Sequence, residues 1–119
     1  LVNNWEATYF DFTPRKLRAL AAKAAGLGAE LFVLDDGWFG RRTDDTRGLG
    51  DFDPNLKKLP SGLDGLAQDL KAKGLSFGLW VEPEMVSQDS ALYEEHPDWA
   101  VVSPSVSPSL GRNQLVLDL

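Results

Sequence analysis

Apolar residues recur along the 119-residue chain in two different patterns. Short apolar runs bounded by charge are typical of strands that are covered on both faces. These runs are residues 1–5, 31–34, 75–81 and 114–119. Apolar residues at helical spacing predict helices between them. The predicted helices are residues 13–25, 61–74 and 90–95. Alternating strands and helices are typical of a parallel sheet with crossover helices, and the pattern therefore predicts an α/β fold.

Residues that start and stop helices support these boundaries. Thr13 followed by Pro14 is a typical N-cap and first helical position. Ser61 is the predicted cap of the second helix, and Gly74 is its predicted end. Pro97 predicts the end of the third helix. The Ser- and Pro-rich stretch "SPSVSP" predicts an extended loop.

Two closures of such a sheet stay open on pattern alone, a doubly wound sheet and an eight-stranded barrel. The loop that follows the second strand is long, residues 39–60, whereas the turns that lead from helices into strands are tight. That asymmetry favours a barrel with its chemistry at the carboxyl face. A (β/α)8 TIM barrel needs about 250 residues and eight strands, so the chain would supply about half of one.

Composition narrows the class of partner. The net charge is −6 and the twelve basic residues are scattered, which argues against a nucleic-acid or anionic membrane surface. The absence of cysteine excludes disulfides and thiolate metal sites, and His96 as the single histidine excludes a histidine-rich zinc site. No apolar run approaches the roughly 20 residues that cross a bilayer. A neutral polar partner fits these constraints best.

Polar and indole side chains collect where the predicted strands end. They are Trp5, Glu6, Asp35, Asp36, Trp38, Trp80, Glu82 and Glu84, with Arg112 and Asn113 just before the last strand. In a parallel sheet the ends of the first three strands emerge at one edge. Carboxylates exchange hydrogen bonds with sugar hydroxyls, and indoles pack on the apolar faces of a sugar ring. A sugar suits such an edge better than a phosphate, because no glycine-rich phosphate loop follows any predicted strand.

Ordinary structural roles stay open for the same residues. Asp35 and Asp36 before a glycine fit a simple turn in which the glycine takes positive φ. Trp80 fits a core indole of an apolar strand. Glu82 and Glu84 fit a solvated loop, and Arg112 fits an ion-pair partner.

Five stretches resemble the bacterial α-galactosidases (melibiases) of glycoside hydrolase family 36, in clan D. The stretches are "NNWEATYFDF", "ELFVLDDGWFG", "LGDFDPNLKKLPSGLDGLA", "FGLWVEPEMVSQDSALYEEHPDW" and "GRNQLVLDL". Together they cover almost the whole chain. The resemblance implies that residues 1–119 are one domain truncated at both ends, a partial (β/α)8 TIM barrel. They would be its N-terminal half, about the first four βα units of the catalytic domain. The same resemblance implies retaining hydrolysis of terminal α-D-galactosyl residues from oligosaccharides such as melibiose and raffinose.

The resemblance also implies roles for four of the residues at the strand ends. Asp35 and Asp36 are similar to residues that bind galactose hydroxyls. Trp80 is similar to a wall of the sugar pocket. Arg112 is similar to a residue that holds a hydroxyl near the reacting end of the sugar.

Two further tryptophans match less directly, and the catalytic residues are not matched at all. Trp5 resembles a tryptophan at the pocket edge, and Trp38 resembles a residue of the loop that meets the leaving group or a neighbouring subunit. In the family the nucleophile lies in a Lys-Trp-Asp type motif on the strand after "QLVLDL", and the acid/base lies further on. Neither motif is present, so we expect both catalytic residues beyond Leu119, and Asp118 is not the nucleophile.

The resemblance implies a cytoplasmic, bacterial hydrolase that needs no metal or organic cofactor and works as a homo-oligomer, expected to be a tetramer. Its partners would be α-galactoside oligosaccharides. The 119 residues alone are expected to be inactive. Two alternatives stay open, a non-catalytic carbohydrate-binding half-barrel and a raffinose-synthase-like transglycosidase with the same donor pocket.

Overall fold

A computed structural model describes residues 1–101 and 112–118. The predicted "SPSVSP" loop and the last residue of the predicted final strand lie outside the described residues. The chain divides into two compact units, which are described one at a time. Unit 1 is Leu1–Trp38 with Pro54–Val81, and unit 2 is Phe39–Asp53 with Glu82–Leu119. The expectation of one domain over residues 1–119 stays a prediction. No helix among the described residues is long and apolar enough to cross a membrane.

Unit 1 is built on a three-stranded parallel sheet in the order β1-β2-β3. Its strands are β1 Val2–Asn3, β2 Leu31–Leu34 and β3 Ser76–Leu79. Phe32 lies opposite both Val2 and Phe77, which fixes the register across the sheet. Helix α2, Pro14–Gly26, connects β1 to β2, and helix α3, Gly62–Lys71, lies between β2 and β3. The α/β prediction is confirmed for this unit.

The helices bury the faces that the apolar spacing predicts. In α2 the Thr13 hydroxyl accepts a hydrogen bond from the Lys16 N–H at 3.3 Å, so Thr13 is the N-cap that the sequence indicates. The buried residues of α2 are Leu17, Ala21 and Ala24, and those of α3 are Leu66 and Leu70. Removing these side chains from water is the main term that holds both helices against the sheet.

The start of the chain differs from its prediction. The strand expected over residues 1–5 ends at Asn3, and Trp5 begins a short helix, α1 Trp5–Thr8. The Asn3 side-chain oxygen accepts a hydrogen bond from the Trp5 N–H at 2.7 Å, and the Asn4 carbonyl accepts from the Ala7 and Thr8 N–H groups. Asparagine side chains compete in this way with strand hydrogen bonds, and the extended run is therefore shorter than its apolar pattern.

Unit 2 contains a two-stranded antiparallel sheet of β4, Met85–Ser87, and β5, Gln114–Val116. Helix α4, Ala91–Glu95, and a 3₁₀ turn, Pro97–Trp99, follow β4. The prediction of residues 114–119 as a fourth parallel strand is therefore wrong, because β5 pairs with a strand that the sequence pattern did not predict. Three residues of β4 are too few to show a period, and their partner lies far away along the chain.

Candidate functional site

The parallel strands of unit 1 bring a set of polar and indole residues to one edge of the sheet, which we call the carboxyl edge. Its members are Asn3, Asn4, Asp35, Asp36 and Trp80. Trp80 continues the β3 ladder, since its N–H donates to the Leu34 carbonyl at 2.9 Å. Parallel pairing puts the ends of neighbouring strands side by side, so Asp35, Asp36 and Trp80 lie at one edge as the sequence predicts. Asn3 and Asn4 join them there without having been predicted.

Asp35 is held in place by the two asparagines of the neighbouring strand end. The Asn4 Oδ1 accepts from the Asp35 N–H at 2.8 Å, and the Asn3 Nδ2 donates to the Asp35 Oδ2. The other carboxylate oxygen accepts from the Asp36 N–H at 2.8 Å. Asn4 is fully buried, whereas Asp35 is partly exposed. The Asp35 carboxylate is thus fixed in direction and still open to a ligand.

Asp36 is buried, and a lysine from the following loop supplies nearby positive charge. Burial lowers the pKa of Lys58, and the negative charges of Asp36 and Asp11 act in the opposite direction and favour its charged form. The Lys58 ammonium donates to the carbonyls of Gly37 and Phe10 at 2.9 and 3.1 Å. This ammonium ties down the backbone just after the aspartate pair, and its charge offsets part of the repulsion between the two carboxylates.

The turn interpretation of the aspartate pair is also correct. Gly37 has φ of +93°, and a Cβ at this position would lie 2.7 Å from the Phe10 Cδ1. Only glycine therefore fits, both for its backbone angle and for the space beside Phe10. The turn and the ligand-facing role are compatible, because the turn is what places the two carboxylates at the strand end.

The three tryptophans of unit 1 differ in exposure. Trp38 is only 3% exposed, and its Nε1 donates to the Trp80 carbonyl at 2.9 Å. Trp80 and Trp5 are partly exposed. Trp5 stacks edge-to-face on Phe10 with ring centroids 5.1 Å apart. Trp80 and Trp5 thus offer indole surface to a ligand, whereas Trp38 supports the β3 end from within.

Arg112 lies in unit 2, just before β5, and forms an ion pair with Glu82. Its Nη1 lies 3.7 Å from the Glu82 Oε2, and the Arg112 side chain is 47% exposed. Gln114 donates from Nε2 to the other oxygen of Glu82 at 3.1 Å. The prediction of a solvated loop holds for Glu84, which is exposed, and is wrong for Glu82, whose side chain is only 14% exposed.

Sequence reasoning missed four residues that organise these sites. They are Asn3, Asn4, Lys58 and Gln114. The pair of asparagines at a strand end was a usable signal, because asparagine often bonds to nearby backbone. The other two carry no local signal, since the partners of Lys58 lie 21 to 48 residues away and the Glu82 partner of Gln114 lies 32 residues away. No group of three or more metal-ligating side chains occurs within residues 1–101 and 112–118.

An α/β sheet with paired carboxylates and indoles at its carboxyl edge defines a protein whose candidate site suits a polyol. Comparison with known proteins gives the family. The Melibiase family model matches residues 1–119, and the chain belongs to this family. It is 63% identical over 118 residues to "Alpha-galactosidase AgaA" of Geobacillus stearothermophilus, a match that covers 99% of this chain and 16% of that protein.

Solved structures agree with this assignment. The crystal structure of the GH36 α-galactosidase AgaA superposes with a TM-score of 0.91 at 62% identity, over 98% of this chain and 16% of that one. A variant of the same enzyme in complex with raffinose superposes with a TM-score of 0.90, at the same identity and coverage. The chain therefore spans about one-sixth of the length of the relatives that it matches.

Proposed function

We propose that the chain carries the galactose-binding part of an α-galactosidase that hydrolyses terminal α-D-galactosyl residues from oligosaccharides of the raffinose type. The supporting relatives are named α-galactosidases, and one of their structures holds raffinose. In this proposal residues 1–119 belong to the N-terminal half of a (β/α)8 barrel, and the three parallel strands of unit 1 are its described part.

The observation that carries the proposal is the fixed Asp35–Asp36 pair at the carboxyl edge. Asp35 is oriented by Asn3 and Asn4 before any ligand arrives, and its side chain stays partly exposed. A group that is already oriented loses little conformational entropy on binding. Sugar hydroxyls donate to such a carboxylate, which offsets the repulsion between the neighbouring charges.

The remaining site residues take the following roles in this proposal. Asp36 accepts from a second hydroxyl, and the partly exposed Trp80 packs on a face of the sugar ring. Trp5 borders the same sugar from the β1 side. Trp38 donates to the Trp80 carbonyl and so orients Trp80. It also belongs to the loop that meets the leaving group. Arg112 donates to a hydroxyl near the anomeric carbon.

Catalysis needs groups in addition to these. Retaining hydrolysis requires a nucleophilic carboxylate and an acid/base carboxyl about 5 to 5.5 Å apart. Binding residues orient the substrate and stabilise the transition state, but they replace neither of the two. We propose that both lie beyond residue 119 in the full-length enzyme, which works as a cytoplasmic homo-tetramer without metal or organic cofactor. The 119 residues alone are then inactive.

Hydrolysis of 4-nitrophenyl α-galactoside by the full-length enzyme tests the proposal. Asp35→Asn keeps the shape of the side chain and removes its charge. We expect kcat/KM to fall at least about 100-fold, because a charged hydrogen bond near the reacting centre is lost. Asp64→Asn, at an exposed first-turn position of α3, is the control and keeps full activity. Unchanged activity in Asp35→Asn, or turnover by residues 1–119 alone, would contradict the proposal. Transfer products that dominate when a sugar acceptor is added would indicate a transglycosidase instead.

A further inference from the structure

A buried carboxylate in unit 2 lies beside Arg112 and has an incomplete set of hydrogen bonds. The Glu82 Oε2 is buried and accepts no hydrogen bond among the described residues. The Arg112 guanidinium lies 3.7 Å from this oxygen, which is an ion-pair distance and longer than a hydrogen bond. A buried carboxylate oxygen without a donor is costly, so the contact with Arg112 is what makes the position of Glu82 tolerable.

The second oxygen of the same carboxylate is held from β5. Gln114 donates from Nε2 to the Glu82 Oε1 at 3.1 Å, and Gln114 itself is only 7% exposed. Its own Oε1 is buried and accepts no hydrogen bond among the described residues. Because the Gln114 Nε2 holds the Glu82 Oε1, the Oε2 is the oxygen that faces Arg112.

From this arrangement we infer that Glu82 is a positioning residue for Arg112, held in turn by Gln114. Arg112 is half-exposed, and without a charged anchor its long side chain would sample many rotamers. Glu82 removes that freedom on the buried side of the guanidinium and leaves the exposed side to a ligand. In an α-galactosidase this ligand is a galactose hydroxyl, so the functional consequence rests on the proposed function.

The test has one arm that needs no sugar. In the full-length protein, Glu82→Gln keeps the volume of the side chain and removes the charge. Its crystal structure without ligand is expected to show Arg112 displaced or without a defined side-chain position. Glu84→Gln, two residues away and exposed, is the matched control and leaves Arg112 in place. An Arg112 that keeps its wild-type position in Glu82→Gln would overturn the inference.

The second arm is a double-mutant cycle on galactose affinity, measured by calorimetry. Glu82→Gln is expected to weaken galactose binding about tenfold, and Arg112→Ala to weaken it at least as much. In the Arg112→Ala background, Glu82→Gln is expected to add less than about a twofold change, because a residue that acts through Arg112 has nothing left to position. Full additivity of the two losses would overturn the inference, since it would mean that Glu82 acts independently.

Gln114→Met is a second route if Glu82→Gln fails to fold. It removes the donor to Glu82 while the carboxylate keeps its charge, and it is expected to weaken galactose binding only where Arg112 is present. Weakening of equal size in the Arg112→Ala background would count against the inference. If Arg112 moves as expected in the sugar-free structure and the wild-type protein binds no galactose, the proposed function fails while the positioning role of Glu82 stands.

Discussion

Asn4 shows how a single buried side chain prepares the candidate site. Its Oδ1 accepts from the Asp35 N–H, and its Nδ2 donates to the Thr8 hydroxyl at 2.9 Å. Both ends of the amide are therefore used, one on the β2 end and one on helix α1. An apolar residue at position 4 would leave the Asp35 N–H without this partner. A polar group in a protein interior that lacks a hydrogen bond lowers the stability of the fold. The direction of Asp35 thus depends on a residue that need not touch a ligand.

Lys58 gives a pH-dependent prediction at the same scale. Burial lowers its pKa below the ordinary 10.5, with Asp36 and Asp11 acting in the opposite direction. Because the unfolded chain then binds more protons than the folded chain, stability from this residue rises with pH between the lowered pKa and 10.5. We expect wild type to gain stability over Lys58→Met across that window, as measured by urea unfolding at a series of alkaline pH values.

Lys57→Met is the control for this comparison, since Lys57 is exposed and adjacent in sequence. The difference between wild type and Lys57→Met should stay nearly level over the same pH range. A difference between wild type and Lys58→Met that shrinks as the pH rises would show that Lys58 is not disfavoured in its charged form. That result would mean that the attraction of Asp36 and Asp11 outweighs burial in setting the pKa of Lys58.

How far the site could be predicted depends on how local its contacts are. The sequence alone placed Asp35 and Asp36 at a strand end, because an apolar run stops there and a turn glycine follows. It could not place Lys58 beneath the turn or Glu82 beside Arg112, because those contacts join residues brought together only by folding. The interpretation of Glu82 as a surface residue failed for the same reason: a short charged segment looks identical whether it is solvated or covered.

At the scale of elements, two helix starts with similar sequence signals behave differently. The Thr13 hydroxyl caps α2 by accepting from the Lys16 N–H, whereas Ser61 precedes α3 without a side-chain cap bond. Thr13→Ala should therefore cost about 1 kcal/mol of stability, the usual value for losing an N-cap. Ser61→Ala should cost much less, because no capping bond is lost. Urea unfolding of both variants checks the difference, and equal losses would contradict it.

The strands show the corresponding limit for sheets. The mainly apolar runs at residues 31–34 and 75–81 correctly predicted β2 and β3. The expectation that both faces of each strand are covered does not hold for β3, which has no fully buried residue. The run at 114–119 also contains a strand, β5, but its direction was predicted wrongly. A run of apolar residues indicates that a strand forms, whereas its partner and its orientation depend on the segment that it meets, here Met85–Ser87.

At the scale of the whole molecule, β3 is the last strand of the parallel sheet of unit 1 in the part of the chain that the structure describes. Among the described residues, β3 pairs with β2 alone, and Leu79 in β3 is 37% exposed. A strand that is unpaired on one side and carries an exposed apolar residue is a template for pairing with another chain. In the proposed barrel a neighbouring strand would cover this edge. We therefore expect the isolated 119-residue chain to self-associate through β3, as detected by light scattering at increasing concentration.

A matched pair of substitutions separates pairing through the β3 strand from non-specific hydrophobic association. Leu79→Lys puts a charge on the β3 edge and is expected to reduce self-association, since a lysine on an edge strand opposes pairing. Leu27→Lys makes the same chemical change at an 88% exposed position after helix α2, outside any strand, and is expected to leave self-association unchanged. Both changes move the net charge of −6 toward zero, and this alone favours association. A decrease in self-association that occurs only in Leu79→Lys therefore comes from the unpaired side of β3. A wild-type chain that stays monomeric, or equal effects of the two substitutions, would contradict pairing through β3.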